Sequence, residues 1–280
     1  MTQPPATRRV WVSADAHIGF VAGGRDGGDW LELAARDAVE NMGPIDFALF
    51  LGDATHAFTA EQFERYMHIR RHSGIGHWYE IVGNHDFHGT ESGDWQRIVG
   101  GPFRFTLIDG NVAWICFSAE RGRAAGKVSP ETRTWLAEQL ARHQDKNVIV
   151  CSHQLVYDTI AGSEDMERFL HPDRAIRDLL DRFRVDLWLG GHLHGRPRTA
   201  EDAGRVDGTT FINVASVSHI YGTQAANSFL LLAEAGGTRM RARCRIHDEA
   251  RYAENLEVTI PFPHPLRFGP LPADGLRMVP

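Results

Sequence analysis

Five short fragments of the sequence carry side chains that can bind metal ions or transfer protons. Each fragment comes directly after a short apolar run, at the point where a strand would end. Seven of the side chains are metal-type donors: two carboxylates, one carboxamide and four imidazoles. Without cations, so many polar groups in one buried place would be costly to desolvate. The fragments are Asp15-Ala16-His17, Gly52-Asp53, Gly83-Asn84-His85-Asp86, Ser152-His153 and Gly191-His192-Leu193-His194.

This donor set predicts a site for two metal ions. Seven protein ligands are too many for one ion, whereas two ions about 3.5–4 Å apart can share a bridging carboxylate and a bridging hydroxide. Mixed imidazole and carboxylate donors suit divalent or trivalent Mn, Fe, Zn, Ni or Co rather than Mg or Ca. Two such ions outweigh the negative charges of Asp15 and Asp53, so the site would attract phosphate. A hydroxide held there can attack phosphorus in line, and an imidazole beside it can protonate the leaving group.

The elements that must position these fragments follow from the hydrophobic pattern. Apolar runs predict strands at residues 10–13, 47–51, 78–82, 148–151 and 187–189. Helical patterns alternate with them, one behind Asp29 as N-cap, one capped by Ser129, and one over residues 175–183. This alternation indicates a sheet covered on both faces, whose functional groups gather at the carboxyl ends of the strands.

The spacing within the fragments predicts how their side chains converge. The pairs Asp15/His17 and His192/His194 are two residues apart, which on extended backbone points both side chains the same way. The glycines that would let the backbone approach a crowded centre are Gly52, Gly83 and Gly191.

The rest of the chain favours strands without long helices between them. Asp109-Gly110 lies between two β-type runs and predicts a hairpin, and further strands are predicted at residues 209–217, 228–233 and 240–246. The alternating Arg241, Arg243 and Arg245 predict the solvent face of a strand. The expected fold is an α/β sandwich of two mixed sheets. We expect one domain over residues 1–260 and a Pro-rich tail, extended over the surface, over residues 261–280.

The order of the five fragments resembles the calcineurin-like metallophosphoesterase superfamily. The resemblance runs from Asp15 to His194 and implies a four-layer α/β/β/α sandwich with a dinuclear metal centre at the carboxyl ends of the strands. It also implies roles for the residues. One ion would be held by Asp15, His17 and His194, and the other by Asn84, His153 and His192, with Asp53 as the bridging ligand. His85 would contact phosphate or protonate the leaving group, and Asp86 would orient His85.

Differences between this sequence and the motifs of individual branches of the superfamily indicate which branch it resembles. Gly52-Asp53-Ala54-Thr55-His56 lacks the Asp-Arg-Gly of protein Ser/Thr phosphatases. Purple acid phosphatases have glycine in place of His17 and a ligating tyrosine in place of His56, so that branch is also disfavoured. The remaining pattern is similar to bacterial class III phosphodiesterases of the cyclic-nucleotide type, which usually have Asp at position 56.

Several other residues are candidates for binding substrate. His56, His219 and Arg25 lie in loops that could reach the mouth of the site. His88 is a similar candidate, and Arg196 and Arg198 fit either a distal phosphate or simple solubility charges. The remaining histidines are interpreted as solvated or capping residues, and they are His68, His72, His77, His143, His171, His247 and His264.

Composition limits the function and its setting. The net charge of −6 disfavours a nucleic-acid polymer as partner, and hence a nuclease. Cys116, Cys151 and Cys244 are widely spaced and odd in number, which is typical of reduced thiols in a cytoplasmic protein. We expect no signal peptide and no membrane span. The sequence thus predicts a hydrolase of small phosphoesters, with diesters favoured. A phosphomonoesterase with the same centre and a non-catalytic scaffold on the same fold remain alternatives, and a homo-oligomer is left open.

Overall fold

The computed structural model describes residues 7–87, 94–118, 128–160, 163, 175–194, 205–223 and 225–280. Their α-helices are α1 (Gly27–Asn41), α2 (Ala60–His72), α3 (Pro130–Arg142) and α4 (Ala175–Arg182). Their strands are β1 (Thr7–Ser13), β2 (Val21–Ala22), β3 (Arg25–Asp26), β4 (Phe47–Phe50), β5 (Trp78–Glu80), β6 (Arg104–Asp109), β7 (Val112–Phe117), β8 (Asn147–Ser152), β9 (Leu187–Gly190), β10 (Arg205–Val206), β11 (Thr209–Asn213), β12 (Asn227–Glu234), β13 (Arg239–Ile246) and β14 (Arg251–Pro261).

Two six-stranded mixed sheets form the centre of the fold. The first has the strand order β14-β13-β12-β1-β4-β5 and the second β10-β11-β9-β8-β7-β6. Each sheet combines neighbouring parallel strands with antiparallel strands. The parallel strands are β1, β4 and β5 in the first sheet. In the second sheet they are β7, β8, β9 and β11. The predicted hairpin is the antiparallel pair β6–β7.

The two sheets pack face to face, and helices cover their outer faces. Phe47 of the first sheet meets Trp114 of the second edge to face, with ring centroids 5.6 Å apart. The outer face of the first sheet packs on α1 and α2, and that of the second on α3 and α4. Strands buried on both faces need nearly continuous apolar sequence, as observed. The structure therefore confirms the predicted α/β/β/α sandwich.

Three local features differ from the sequence prediction. Helix α1 begins earlier than expected, because the carboxylate of Asp26 rather than Asp29 caps it and accepts a hydrogen bond from the Gly28 amide at 2.7 Å. Helix α2 gave no clear pattern because it buries only three of its 13 residues. Strand β14 lies at the edge of its sheet and is mostly half-buried or exposed, so it lacks an apolar run. The Ser129 cap of α3 is confirmed.

The residues after β14 pack against the rest of the fold. Phe262, Leu266 and Leu276 are buried in the core between the sheets. Near the end of the chain, Val279 pairs with Thr106 of β6 through two backbone hydrogen bonds of 2.7 and 3.0 Å. This segment contributes apolar side chains to the core and is tied to the edge of the second sheet.

The prediction for the arginines of β13 holds for Arg241 and Arg243 and is wrong for Arg245. The first two are accessible and pair with Glu257 of β14. Arg245 lies on the same face, but α1 covers that face there. Its side chain is 5% accessible and donates two hydrogen bonds, of 2.6 and 2.7 Å, to the Asp37 carboxylate of α1.

His247 is also buried, contrary to its interpretation as a solvated residue. Its Nδ1 lies 2.7 Å from Asp37 Oδ2 and its Nε2 2.7 Å from Ser228 Oγ. Trp11 donates a further hydrogen bond to that Ser228 oxygen. This Asp–His–Ser chain is enclosed under α1, since Ser228 has no accessible surface, and it serves to satisfy buried polar groups.

Candidate metal centre

The residues predicted to bind metal all follow strands that run to one rim of the sandwich. Strands β1, β4 and β5 are neighbours in the first sheet, and β8 and β9 are neighbours in the second. Their parallel orientation brings their carboxyl ends together. The donors reach the rim from five loops: Asp15 and His17 after β1, Asp53 after β4, Asn84 after β5, His153 after β8, and His192 and His194 after β9.

One group of donors gathers around the His17 imidazole. One ligand atom each from Asp15, His17, Asp53 and His194 lies within 4.8 Å of the others. The Nε2 atoms of His17 and His194 are 3.0 Å apart, and His194 Nε2 is 3.1 Å from Asp15 Oδ1. His17 Nε2 is also 3.5 Å from Asp53 Oδ2. Four donors directed at one point form a site that could hold a cation.

A second group gathers around His153 and shares Asp53 with the first. Ligand atoms of Asp53, His153 and His192 lie within 4.8 Å of one another. His153 Nε2 is 3.2 Å from Asp53 Oδ2 and 3.1 Å from Asn84 Oδ1. The same carboxylate oxygen of Asp53 therefore faces both groups, which is the position of a bridging ligand.

The hydrogen bonding of the carboxylates fits cations at this site. Asp15 Oδ2 accepts from the backbone amide of His192 at 2.9 Å, and Asp53 Oδ1 accepts from that of His85 at 2.7 Å. Within the described residues, nothing donates a hydrogen bond to the other oxygens, Asp15 Oδ1 and Asp53 Oδ2, although both are buried. A buried carboxylate oxygen facing imidazole nitrogens without a hydrogen bond is suited to ligate a metal ion.

The ring of His153 is oriented for coordination. Its Nδ1 is 2.7 Å from the backbone carbonyl oxygen of Leu51, so Nδ1–H donates to that oxygen and, in the neutral ring, Nε2 carries the lone pair. This assignment follows from the hydrogen-bond partner. It directs the lone pair of Nε2 towards Asp53 and Asn84.

The predicted pairs converge, but not through extended backbone. Five of the donors have left-handed backbone, which is uncommon for residues with a β-carbon: Asp15 (φ 58°), His17 (φ 50°), Asp53 (φ 54°), His192 (φ 69°) and His194 (φ 53°). The strands have already ended, and tight turns rather than strand alternation direct the side chains inward. Such conformations persist where surrounding structure holds them, and they cluster at functional sites.

Glycines make room for the donors, as predicted. A β-carbon at Gly83 would lie 2.1 Å from Asp53 Oδ1, and one at Gly191 would lie 2.5 Å from Asp15 Oδ2. Gly52 has φ of 92°, and a β-carbon there would lie 2.5 Å from the Gly83 amide nitrogen. Any side chain at these positions would displace a carboxylate or the adjoining loop.

The charges of these side chains favour cation binding. Burial raises the pKa of Asp53, but the positive charge of the neighbouring His153 outweighs it and holds the pKa well below the ordinary value. Burial lowers the pKa of His153, yet the Asp53 carboxylate more than compensates and raises it to about 9. For His192, burial and the neighbouring His153 charge lower the pKa to about 3. Burial also raises the pKa of Asp15, but the charge of His194 and the other neighbouring imidazoles outweigh it and hold that pKa well below its ordinary value, so both carboxylates are ionised.

Asp86 has different partners from those expected. Its carboxylate accepts hydrogen bonds from the Gly83 and Ala54 amides at 3.0 and 3.2 Å. It also accepts from the amide and the hydroxyl of Thr55, at 2.8 and 3.0 Å. Asp86 therefore joins the loop of Asp53 to the loop of Asn84. The ring of His85 is instead oriented by the backbone carbonyl oxygen of His56, 3.0 Å from its Nδ1.

Burial and the charge of Asp53 raise the pKa of Asp86 to about 6, although the hydrogen bonds from Gly83 and Thr55 lower it. The carboxylate is 2% accessible. Its position leaves it facing backbone amides rather than solvent or the half-buried His85 ring.

The three predicted substrate residues fall into two places. His56 lies at the metal centre, with its Nδ1 3.4 Å from His17 Nδ1 and its ring stacked on that of His85 at 5.2 Å. His17, His56 and His85 also form a further group of imidazoles within 4.8 Å. His219 and Arg25 instead contact Trp30 of α1. The His219 ring stacks on it at 4.0 Å, and the Arg25 guanidinium lies 4.9 Å from its centroid.

Sequence reasoning missed two aromatic residues at the rim of the centre. The ring of Tyr221 lies 5.4 Å from that of His194 and 5.4 Å from that of Phe20. Phe20 lies in a loop and Tyr221 in a short 3₁₀ turn. Neither is one of the residue types that the sequence search for metal ligands and acid–base groups considered, so residue type gave no signal. The candidates His88, Arg196 and Arg198 lie outside the described residues, as does His171, which was interpreted as solvated or capping.

Comparison with protein families identifies the arrangement. The family model described as calcineurin-like phosphoesterase matches residues 8–196, which include all seven donors. The chain belongs to this family. Similar members include an acid phosphatase of Aspergillus ficuum, 30% identical over 171 residues, or 55% of this chain and 27% of the relative. A probable glycerophosphodiester phosphodiesterase, GpdQ, of Arcobacter nitrofigilis is 25% identical over 171 residues, or 56% of this chain and 59% of the relative.

The family fold extends to solved structures with little sequence identity. Purple acid phosphatase PPD1 from yellow lupin (Lupinus luteus) seeds superposes with a TM-score of 0.62 at 13% identity, over 92% of this chain and 54% of that one. This likeness concerns the fold. The match to this chain spans about a quarter of the length of the acid phosphatase and about three fifths of the length of the phosphodiesterase. No helix of the described residues is long and apolar enough to cross a bilayer.

Proposed function

We propose that the protein is a metal-dependent hydrolase of phosphoesters. The observation that carries the proposal is the position of Asp53, whose Oδ2 faces both His17 and His153, at 3.5 and 3.2 Å. Two donor groups that share one carboxylate oxygen suit two ions at the short separation used in phosphoryl transfer. Membership of the calcineurin-like phosphoesterase family supports the same reaction class.

The chain's own side chains would divide the tasks as follows. One ion would be held by Asp15, His17 and His194, the other by Asn84, His153 and His192, with Asp53 between them. When bound, the ions would neutralise charge on the phosphoryl oxygens and make an attacking water more acidic. The hydrogen bonds of Asp15, Asp53 and His153 to backbone groups hold these ligands in place before substrate arrives.

His85 is proposed to protonate the leaving alkoxide. Its ring lies 4.6 Å from that of His17, and it is not a member of the two groups that share Asp53. The His56 carbonyl oxygen accepts from Nδ1–H, which leaves Nε2 as the atom that exchanges a proton with the substrate. Asp86 then acts on the two loops that carry Asp53 and Asn84 rather than on His85.

We propose a phosphodiester as the favoured substrate, with a phosphomonoester as the alternative. Support for the diester is the sequence pattern similar to class III phosphodiesterases, in which His17 is present and a ligating tyrosine is absent at position 56. The relatives named above include both an acid phosphatase and a phosphodiesterase. His219 and Arg25 are proposed as outer substrate contacts near Trp30.

The proposal is tested by removing metals and restoring them one at a time. The chelated protein is reconstituted with Mn, Fe, Zn, Ni or Co, and metal content is measured in parallel with hydrolysis. The substrates are bis(p-nitrophenyl) phosphate, p-nitrophenyl phosphate and cyclic nucleotides. We expect two ions per chain in the active form and a higher kcat/KM for a diester.

Two variants separate the proposed roles. Asp53→Ala should lose both ions and activity, because both donor groups use its carboxylate. His85→Ala should keep both ions and lower kcat by about 10²–10⁴-fold. Hydrolysis at the original rate by His85→Ala would contradict its role as acid. A fully metallated protein inactive on every phosphoester would favour the scaffold alternative.

A cytoplasmic location is proposed from the cysteines. Cys116, Cys151 and Cys244 are free and buried, which suits a reducing compartment. Fractionation of cells producing the full-length protein would test this. Recovery with secreted or envelope proteins would contradict it.

A further inference from the structure

Tyr221 is a large aromatic side chain exposed at the edge of the metal centre. Its surface is 60% accessible, although its ring lies 5.4 Å from that of His194, at an angle of only 21°. It is also 6.2 Å from the ring of His17. A single exposed side chain is ordinary, whereas contiguous exposed apolar surface marks places that a ligand or partner covers. Here it borders two proposed metal ligands.

Phe20 and His56 extend this aromatic surface. The Phe20 ring is 5.4 Å from that of Tyr221 and 4.9 Å from that of His56. The neighbouring Val21 is 68% exposed, and its strand β2 contacts the turn that carries Tyr221. We refer to Phe20, Val21, His56 and Tyr221 as the aromatic rim. It places apolar surface directly beside the donors of His17 and His194.

The backbone holds Tyr221 in an unfavourable conformation. Its φ of 45° and ψ of 42° are left-handed, which costs free energy for a residue with a β-carbon. The turn is fixed to the metal centre because the hydroxyl of Thr223 donates a hydrogen bond of 2.9 Å to the carbonyl oxygen of His194. Strain that the surrounding structure maintains at a site points to use of the side chain there.

We propose that the aromatic rim is a subsite that stacks a planar ring of the substrate. The enzyme would then prefer phosphoesters of aryl or nucleoside alcohols to those of alkyl alcohols. The inference rests on the proposed function and deepens it. A planar ring against Tyr221 and Phe20 gains both apolar burial and aromatic stacking, while its phosphate reaches the donors of His17 and His194.

A planar neutral ring fits the rim better than a quaternary ammonium group. Aromatic rings also attract cations, but two metal ions bound at the adjoining donors would repel a second positive charge at this distance. Tyr221 also presents an open face rather than one wall of an enclosed cage, since most of its surface is accessible.

The test measures binding of ligands that the enzyme cannot turn over. Phenylphosphonate and methylphosphonate are titrated calorimetrically into the metal-reconstituted protein, and the ratio of their Kd values is compared between variants. Tyr221→Ala should reduce the preference for phenylphosphonate by about 5- to 10-fold, and Phe20→Ala by about 2- to 5-fold. Tyr221→Phe keeps the ring and should leave the ratio unchanged.

Kinetics with a common leaving group provide a second readout. Phenyl p-nitrophenyl phosphate and methyl p-nitrophenyl phosphate both release p-nitrophenolate, so their kcat/KM ratio reports the second ester group. Tyr221→Ala should lower this ratio by a similar factor and change the methyl ester by less than about 2-fold. Val39→Ala removes an exposed valine of α1 remote from the rim and is the matched control.

Several outcomes would overturn the inference. The first is an equal loss of affinity for both phosphonates in Tyr221→Ala. The second is a loss of affinity for phenylphosphonate in Tyr221→Phe as large as that in Tyr221→Ala. The third is a preference for phosphocholine that depends on Tyr221. Metal content and thermal unfolding are measured for each variant. If Tyr221→Ala loses metal or stability, Tyr221→Leu, which keeps apolar bulk without a ring, takes its place.

The inference and the proposed function fail in different ways. If the wild type and the Tyr221 variants hydrolyse phosphoesters with the same ratio of kcat/KM for the phenyl and methyl esters, the proposed function is supported and the subsite is refuted. Binding of phenylphosphonate through Tyr221, without hydrolysis of any phosphoester, would leave the subsite standing and refute the function.

Discussion

Replacing Asp86 by asparagine tests whether this carboxylate joins the two loops of the metal centre. Its Oδ2 accepts from the amides of Gly83 and Ala54, and its Oδ1 from the amide and hydroxyl of Thr55. An asparagine side chain has only one oxygen. In either orientation its amide nitrogen faces at least one backbone N–H, and the remaining bonds lose the charge of the acceptor.

The expected cost follows from these bonds. One buried amide without an acceptor costs about 1–3 kcal/mol, and hydrogen bonds to a charged group are about twice as strong as neutral ones. Loss of the negative charge also relieves the repulsion from Asp53 that raises the pKa of Asp86, and this offsets the weaker hydrogen bonds. We therefore expect Asp86→Asn to lower the free energy of unfolding by about 1–3 kcal/mol, the cost of the unpaired amide. Because the same loops carry Asp53 and Asn84, metal affinity should fall by about 10- to 100-fold.

Urea unfolding and calorimetric metal titration measure these two effects. Asp94→Asn is the matched control, since Asp94 is an exposed carboxylate paired only with the accessible Arg97 in the described structure. It should change stability by less than about 0.5 kcal/mol. Wild-type metal affinity in Asp86→Asn would refute the reasoning. Reduced kcat with unchanged metal affinity would show that Asp86 acts through His85 after all.

Two further predictions concern buried charges. Asp37→Asn should lower the free energy of unfolding, measured with urea, by about 3–5 kcal/mol, because it leaves the buried Arg245 without its charged partner. The control Asp29→Asn, at an exposed ion pair, should leave the free energy of unfolding almost unchanged. Burial raises the pKa of Asp37, but the Arg245 hydrogen bonds outweigh it and lower the pKa. Its contribution is therefore present above the unfolded pKa of about 4 and lost as pH falls, and this acid-dependent loss should be absent from the variant. Second, the proton of His153, whose pKa near the Asp53 carboxylate is about 9, must leave before metal binds. As pH rises towards 9, the apparent metal affinity should therefore increase by up to about tenfold per pH unit. Calorimetry in two buffers with different ionisation enthalpies should detect the released proton. A metal affinity that does not change between pH 6 and 8 would contradict this prediction.

The composition of the metal centre could be predicted from the sequence because it depends on local signals. Each donor follows a short apolar run, and the carboxyl ends of parallel strands in one sheet lie on the same side. Asp15 and His194, 179 positions apart in the chain, could therefore be assigned to one rim before any coordinates. The glycines beside them were predictable for the same reason, since crowding at a rim requires residues without a β-carbon.

The geometry that directs the donors inward was not predictable in this way. Alternation along extended backbone correctly places Asp15 with His17 in one donor group, but the structure achieves the convergence with left-handed turns. Such turns are decided by hydrogen bonds between loops, as when the His192 amide donates to Asp15. These partners are remote in sequence and leave no periodic trace.

The sequence by itself determined which groups do chemistry and at which strand ends they lie. Tertiary structure alone decided what covers each of them. Arg245 alternates with exposed arginines yet is buried, because α1 crosses that face of the sheet. Tyr221 has no distinguishing sequence context, yet it stands beside His194 because its turn is bonded to that loop. Periodicity specifies the face of an element that a residue occupies, whereas burial and contact depend on which other element packs against that face.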